Sequence, residues 1–237
     1  MSSEPVIKLS NISKKYILKG YKSRTLREDI ESIFSRKYKP DLSKNEFWAL
    51  KDINISINKS ESVGLYGPNG SGKTTIIKLI SGVTLPTLGE ITINGTIAPL
   101  ISVGAGFHPE LTGRENIYTN GTILGMSIKY LKSVEDDIIN FSGLDKKFIN
   151  MPVKQYSSGM NARLGFSVAV HSNADIFLLD EIISVGDEEF KNKCTEKVKS
   201  LMNMNKTFLI VTHNHELLKT MTNRIIYIKN GSIEDNL

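Results

Sequence analysis

Val63-Gly64-Leu65-Tyr66-Gly67-Pro68-Asn69-Gly70-Ser71-Gly72-Lys73-Thr74 decides how this chain of 237 residues is read. Its first four residues are a short apolar strand that runs straight into a glycine-rich turn. A helix follows from about Lys73 and ends near Ser81-Gly82. From Gly67 to Thr74 the turn meets the pattern G-x-x-x-x-G-K-[ST] at every fixed position. Glycines there let the backbone curl, so that N–H groups of the loop, Gly67, Pro68 (which lacks one), Asn69, Gly70, Ser71 and Gly72, surround phosphate oxygens. The helix that follows turns its positive end to the same anion. Lys73 adds a full charge at the β- and γ-phosphates, the Thr74 hydroxyl ligates Mg²⁺, and Thr75 offers one more hydroxyl.

The second decisive stretch is Ile176-Phe177-Leu178-Leu179-Asp180-Glu181. An apolar strand ending in two acids makes sense when the carboxylates emerge at the C-terminal edge of a parallel sheet, where open α/β folds bind ligands. Asp180 then belongs to the Mg²⁺ shell and Glu181 faces the attacking water as general base. The plainer reading makes the pair an acidic cap for the next helix. Ser184-Val185-Gly186-Asp187 follows as a turn, and TFLIVT ends at Thr212-His213. A neutral His213 at that strand end is placed to bond the γ-phosphate, whereas His108, His171 and His215 are expected to be ordinary surface residues.

Further out, Val6 to Ile12 and Ile53-Asn54-Ile55-Ser56-Ile57 alternate like half-buried strands. Asn94-Gly95, between ITI and TIAPLI, is a type I′ hairpin signal, and Asn230-Gly231 repeats it near the C-terminus. Residues from about 113 to 170 are mostly helical, with breaks at Gly125-Met126-Ser127 and around Ser142-Gly143. Strands and helices alternate after that, which predicts a mainly parallel sheet covered on both faces. The expected fold class is therefore α/β: a mainly parallel sheet, an N-terminal antiparallel β-subdomain and a helical insert. Apolar residues make up 40% and charged residues 23%, which fits a globular protein and excludes a disordered or fibrous one. No apolar run is long enough to cross a bilayer and the N-terminus lacks a secretion signal, so a soluble cytoplasmic protein is expected. The single cysteine, Cys194, falls on the stripe Phe190, Cys194, Val198, Leu201 and reads as a packing residue. A net charge of +5 suits an anionic partner without saying which.

Taken in order, the P-loop, the helical insert, Tyr156-Ser157-Ser158-Gly159-Met160, LLDE, the SxxD turn and the TH strand end resemble the ABC-transporter ATPases. The resemblance runs from about residue 6 to 234, implying a P-loop NTPase of the ABC ATPase fold over residues 1–237 that binds ATP and Mg²⁺. YSSGM looks like that family's LSGGQ signature. The resemblance implies that Ser157 and the Gly159 N–H, at a helix tip, cover the ATP held by a second copy, and that Asp187 crosses the same interface. It thus implies a homodimer. Ser158 and Met160 depart from the signature, and Leu100 to His108 carries no glutamine where the family has one, which leaves a Mg²⁺ contact from 102–108 open.

The run GAGFHPELTGREN is similar to the subfamily that exports polysaccharides, namely O-antigen, capsule and teichoic acid. That implies integral-membrane permease subunits as partners, a lipid-linked polysaccharide handled through them, no nucleic acid, and a peripheral seat on the cytoplasmic face of the inner membrane. Residues 17–47 form an insertion in which Leu26, Ile30, Ile33 and Phe34 share a helical face among Lys and Arg residues. A basic amphipathic helix at a lipid surface and a solvated helix packed on the domain both fit. Tyr16 occupies the family's adenine-stacking position, with Trp48 and Phe47 as competitors. Ending soon after IIYIKNGSIE, the chain is expected to lack an appended carbohydrate-binding domain. The rival functions are a soluble ABC protein acting on ribosomes or DNA, and a nucleotide kinase, which leaves YSSGM and His213 unexplained.

Overall fold

The computed structural model describes residues 4–17, 46–100, 106–180 and 186–234. The strands are β1 (Ile7–Ile17), β2 (Glu46–Ile57), β3 (Ser62–Tyr66), β4 (Leu88–Ile93), β5 (Ile97–Leu100), β6 (Ile176–Asp180), β7 (Thr207–Val211), β8 (Arg224–Lys229) and β9 (Ser232–Glu234). The helices are α1 (Lys73–Ile80), α2 (Gly113–Ile123), α3 (Ile128–Ser142), α4 (Lys146–Ile149), α5 (Ser158–Val170), α6 (Glu188–Asn203) and α7 (His215–Met221).

Two sheets result. β2, β1 and β4 make an antiparallel sheet, and the second runs in the order β5-β6-β7-β3-β8-β9. Every pairing from β5 to β8 is parallel, and only β9 turns back as an antiparallel edge. Strands β3, β6 and β7 are continuous apolar runs because helices or the other sheet cover both their faces. Helix α1 buries Ile76, Ile77, Leu79 and Ile80 in a core shared with the antiparallel sheet and one face of the large sheet. On the other face, Phe166, Phe190 and Leu218 from α5, α6 and α7 pack with Phe177 and Phe208. Those last two rings stack across β6 and β7 at 5.2 Å. A third core, around Ile117, Leu131, Ile138 and Leu164, holds α2, α3 and α5 together and matches the helical stretch expected over 113–170.

Asn94-Gly95 is not a hairpin. Strand β4 pairs with β1 while β5 pairs with β6, so the chain changes sheets between them. Gly95 takes φ 139°, but Asn94 is not in the left-handed region that a type I′ turn also requires. The competing interaction is the Asp175 carboxylate, which accepts from the Thr96 N–H at 2.9 Å and the Thr96 hydroxyl at 2.8 Å. Asn230 and Gly231, at φ 51° and 78°, do make the expected tight turn, joining β8 to β9. The insertion begins later and ends earlier than expected, since Ile17 closes β1 and Glu46 and Phe47 open β2. Its amphipathic stretch lies outside the described residues.

Two histidines are half-buried and held by partners rather than lying free on the surface. The His171 ring is half-buried, lies edge-on to Phe141 at 5.4 Å, and bonds the Ser167 carbonyl through Nδ1 at 2.7 Å. His215 packs against Tyr66 at 4.9 Å and bonds the Tyr227 hydroxyl. Burial holds the His171 pKa below the ordinary 6.5. The unfolded chain therefore takes up a proton that the folded chain refuses as pH falls below about 6.5. Stability should be full above that pH and decline below it. The melting temperature is expected to drop less on acidification in His171→Phe than in the wild type; equal slopes would show that this ring does not set the acid limb.

Cys194 is buried on the expected stripe with Phe190, Val198 and Leu201, and burial pushes its thiol up to about 12. Thiol reagents at neutral pH should therefore leave the folded protein unmodified and react on unfolding. Rapid native labelling would contradict that packing.

Candidate functional site

Parallel strands place their C-terminal ends on one edge. Asp180, last in β6, and Leu65, in β3, both stand opposite Val211 of the strand between them. The glycine-rich loop leaving β3, the acidic end of β6 and the Thr212-His213 end of β7 thus share that edge. Glu181, Ser184 and Val185 lie outside the described residues.

The loop is packed through bare backbone. A Cβ on Gly67 would stand 2.1 Å from the Ile228 carbonyl oxygen of β8. Gly72 takes φ 112°, and a Cβ there would stand 2.9 Å from the Ala49 carbonyl of β2. The Gly231 N–H donates to the Ser71 carbonyl at 3.0 Å, and the Lys51 N–H donates to the Gly231 carbonyl at 2.7 Å. Turn β8–β9 is therefore a buttress of the loop. From sequence Asn230-Gly231 shows only a hairpin, because a sheet edge closing on a distant loop leaves no local pattern.

Lys73 is buried, with Nζ donating to the carbonyls of Gly67 at 2.6 Å and Pro68 at 2.9 Å. An ammonium has three donors, so the loop takes two and leaves one. Helix α1 begins at Gly72 with no side-chain cap and no acid in its first turn, so the protein does not neutralise its positive end there. The Ser71 hydroxyl is buried and has no hydrogen-bond partner among the described residues.

These features open on a cleft of about 500 Å³. Its floor is Asn69 to Thr75, and Asp180, Asn230 and Gly231 contribute to the wall. Tyr16, Phe47 and Trp48 also line it. The Tyr16 and Phe47 rings, paired across β1 and β2, stack at 5.7 Å, while Lys14 and Lys15 sit over Tyr16 and Trp48 respectively. Thus all three aromatic candidates share the cleft with the loop. A polyanion fits here: unneutralised helix N–H groups, an orphaned hydroxyl and one spare ammonium proton. The Thr74 hydroxyl and Asp180 carboxylate are hard oxygen donors of the kind Mg²⁺ takes.

Four expected residues lie elsewhere. Ser157, Gly159, Asp187 and His213 do not line this cleft. Ser157 caps α5, its hydroxyl accepting from the Met160 N–H at 3.2 Å, and a Cβ on Gly159 would approach only that hydroxyl, at 3.8 Å. The preceding Tyr156 is buried and donates its hydroxyl to the Phe148 carbonyl at 2.7 Å, which anchors the tip to the helical insert. Met160 packs on the insert's core, so this departure from the signature is an apolar anchor. Asp187 caps α6 by accepting from the Phe190 N–H at 2.9 Å. His213 is exposed at the end of β7.

A family model described as ABC transporter matches residues 50–184, more than half of the chain. Over 98% of its length the chain is 39% identical to the O-antigen export system ATP-binding protein RfbB of Klebsiella pneumoniae, covering 93% of that protein. It is 40% identical to the protein of the same name from Myxococcus xanthus across 92% of this chain, but spans only 51% of that relative. The teichoic acids export ATP-binding protein TagH of Lactiplantibacillus plantarum is 37% identical over 98% of this chain, which spans 62% of it. In structure the chain resembles a dimeric bacterial ABC transporter cassette, with TM-score 0.73, 25% identity and 97% of each chain covered. A dimeric post-hydrolysis cassette bound to ADP and Pi gives TM-score 0.74 at 24% identity, again over 97% of each chain. With the loop, the acidic strand end and the fold in agreement, the chain belongs to the ABC transporter family as an ATP-binding cassette.

Proposed function

We propose that this cassette hydrolyses ATP as a homodimer beneath two integral-membrane permease subunits, driving export of a lipid-linked polysaccharide of the O-antigen or teichoic-acid kind. The observation that carries the ATPase reading is one cleft lined by the Lys73 loop, Asp180 and three aromatic rings, with the Ser157 tip outside it. The export reading rests on relatives whose names specify O-antigen and teichoic-acid export. Those same names favour it over a ribosome- or DNA-directed cassette. Residues 1–237 act as one ATPase domain, with the helical stretch 113–170 as its insert. Among the described residues no helix is long and apolar enough to cross a membrane. We place the cassette on the cytoplasmic face of the inner membrane, beside the permease, on the strength of its export-system relatives.

In this reading the N–H groups of the loop and the first turn of α1 hold the phosphates, and the remaining Lys73 donor bonds a β- or γ-phosphate oxygen. Thr74 and Asp180 would hold Mg²⁺, which when bound would neutralise phosphate charge. Glu181 accepts a proton from the water that attacks the γ-phosphorus, and the bond to the ADP oxygen breaks. His213, which follows β7 on the same sheet edge but outside the lining of the cleft, is the residue we assign to the γ-phosphate end of the nucleotide. A second copy supplies Ser157 and the Gly159 N–H, with Asp187 at the same seam. Since Ser157 and Gly159 do not share their own chain's cleft, pairing is what would complete each site.

Glu181→Gln should lower ATP turnover by about a hundredfold or more, the range for losing a general base, and yield a dimer in sedimentation only when ATP is present. Unchanged turnover would remove Glu181 from the chemistry.

Tyr16 is the stacking residue we assign, supported by its position and its two-ring platform with Phe47. Tyr16→Ala should weaken ATP binding about tenfold, within the roughly 1–3 kcal/mol that base–aromatic stacking supplies, and leave tripolyphosphate binding unchanged. Trp48→Ala should alter neither; the opposite ranking of the two variants transfers the adenine to Trp48.

A further inference from the structure

Two elements that the proposed function sends to a partner's nucleotide meet inside one chain at a single side chain. Arg163 lies on α5, the helix whose tip is Ser157. Its Nε donates to the Ser142 carbonyl at 2.9 Å, and its Nη1 donates to Asp187 Oδ2 at 3.3 Å. The guanidinium carbon sits 4.9 Å from the centroid of the Phe190 ring. Nη2 occupies the space beside Gly143, where a Cβ would stand 2.4 Å from it. Gly143 ends α3 at φ 64°.

The surroundings make this a joint rather than an isolated surface pair. Lys193 of α6 donates to the carbonyls of Asn140 and Phe141 at 3.2 and 3.0 Å. The C-terminal carbonyls of α3 are thus held by cations from two other helices, the charge sign that a helix C-terminus favours. Phe141, Phe166 and Phe190 contact one another beneath, with centroids 5.9 to 6.3 Å apart. Asp187 uses both carboxylate oxygens: Oδ1 caps α6 at Phe190, and Oδ2 meets Arg163. The cap holds Phe190 beside the guanidinium, and the guanidinium holds the carboxylate. Only a planar fork can bond a carbonyl and a carboxylate while lying on a ring, which lysine cannot reproduce.

We propose that Arg163 is a positioning residue for the shared nucleotide site, joining the Ser157–Gly159 tip and the Asp187 turn into one body so that both reach the partner's nucleotide together. This rests on the paired-cassette reading, and two separate measurements keep the joint and the reading distinguishable. The full chain is compared with Arg163→Gln, Arg163→Lys, Asp187→Ser and the Arg163→Gln/Asp187→Ser double variant. Asp187→Ser keeps a hydroxyl to cap α6 and removes the carboxylate partner of Arg163; because Asp187 also stands at the proposed seam, this variant tests the joint through amide exchange and not through turnover alone.

In the nucleotide-free chain, diluted until it sediments as a monomer, amide exchange at 188–191 and 143–144 should rise about threefold or more in each single variant and no further in the double. With ATP, kcat should fall about tenfold in each single variant with KM within about twofold, and the double should match the worse single, because the two side chains act as a unit. Arg163→Lys should not restore turnover. Unchanged exchange, losses that multiply in the double variant, or full activity in Arg163→Lys would each overturn the proposal. Should Arg163→Gln not fold, Arg163→Lys decides both arms and Asp187→Ser decides the exchange arm. A wild-type chain that stays monomeric with ATP would sink the paired reading, while the exchange data would still decide the joint.

Discussion

The ammonium of Lys73 rests on two carbonyl oxygens of its own loop, and that small cage exists only because two sheets meet around it. A buried lysine is costly unless its donors are satisfied. Gly67 and Pro68 satisfy two, and they keep their places because β8 presses on Gly67 and β2 on Gly72. A side chain at either glycine would drive the backbone off those strands. The N-terminal sheet, the parallel sheet and the β8–β9 turn are therefore clamped at the loop. The aromatic rings of β1 and β2 reach the same cleft through that clamp.

What could be read from sequence divides along a physical line. Continuous apolar strands such as Ile176 to Leu179 and Thr207 to Val211 announce themselves, since burial on both faces leaves no polar position to confuse the pattern. The loop announces itself because its residue types are dictated by backbone shape and charge. Asn94-Gly95 misleads for the opposite reason. A dipeptide permits a turn, but whether flanking strands pair with each other depends on partners far along the chain. Here Ile93 meets Ile7 and Ile97 meets Ile176. The histidines misled in the same way, for a polar ring reads as surface until an aromatic neighbour such as Phe141 or Tyr66 is brought to it. The buttress by Gly231 and the Arg163 joint were illegible because both are side-on contacts between elements remote in sequence.

The helical insert shows how a departure from a family pattern can be structural. Met160 turns its apolar side chain into the insert's core, and Tyr156 ties the preceding backbone to Phe148. Between these anchors stand Ser157, Ser158 and Gly159, with both serines exposed. The tip is held from beneath on either side, and its polar residues face away from the core. Such an arrangement suits a surface that meets another surface better than one that closes a pocket of its own.

The two helix ends, finally, are chemically unequal, and that bears on the order of events in the proposed cycle. At α1 the cap residue is a glycine, so the first N–H groups receive nothing from a side chain. At α5 the Ser157 hydroxyl already accepts from the Met160 N–H. An anion arriving at α1 gains unspent donors and a lysine, whereas one arriving at α5 meets an end already partly satisfied, with no lysine beside it in the YSSGM segment. Nucleotide should therefore load first on the loop of a single copy and engage the tip of a second copy only when that loop has fixed it in place. In the cycle we propose, hydrolysis would split the anion between the two helix ends, and the end with fewer unspent donors, the Ser157 tip, would let go first.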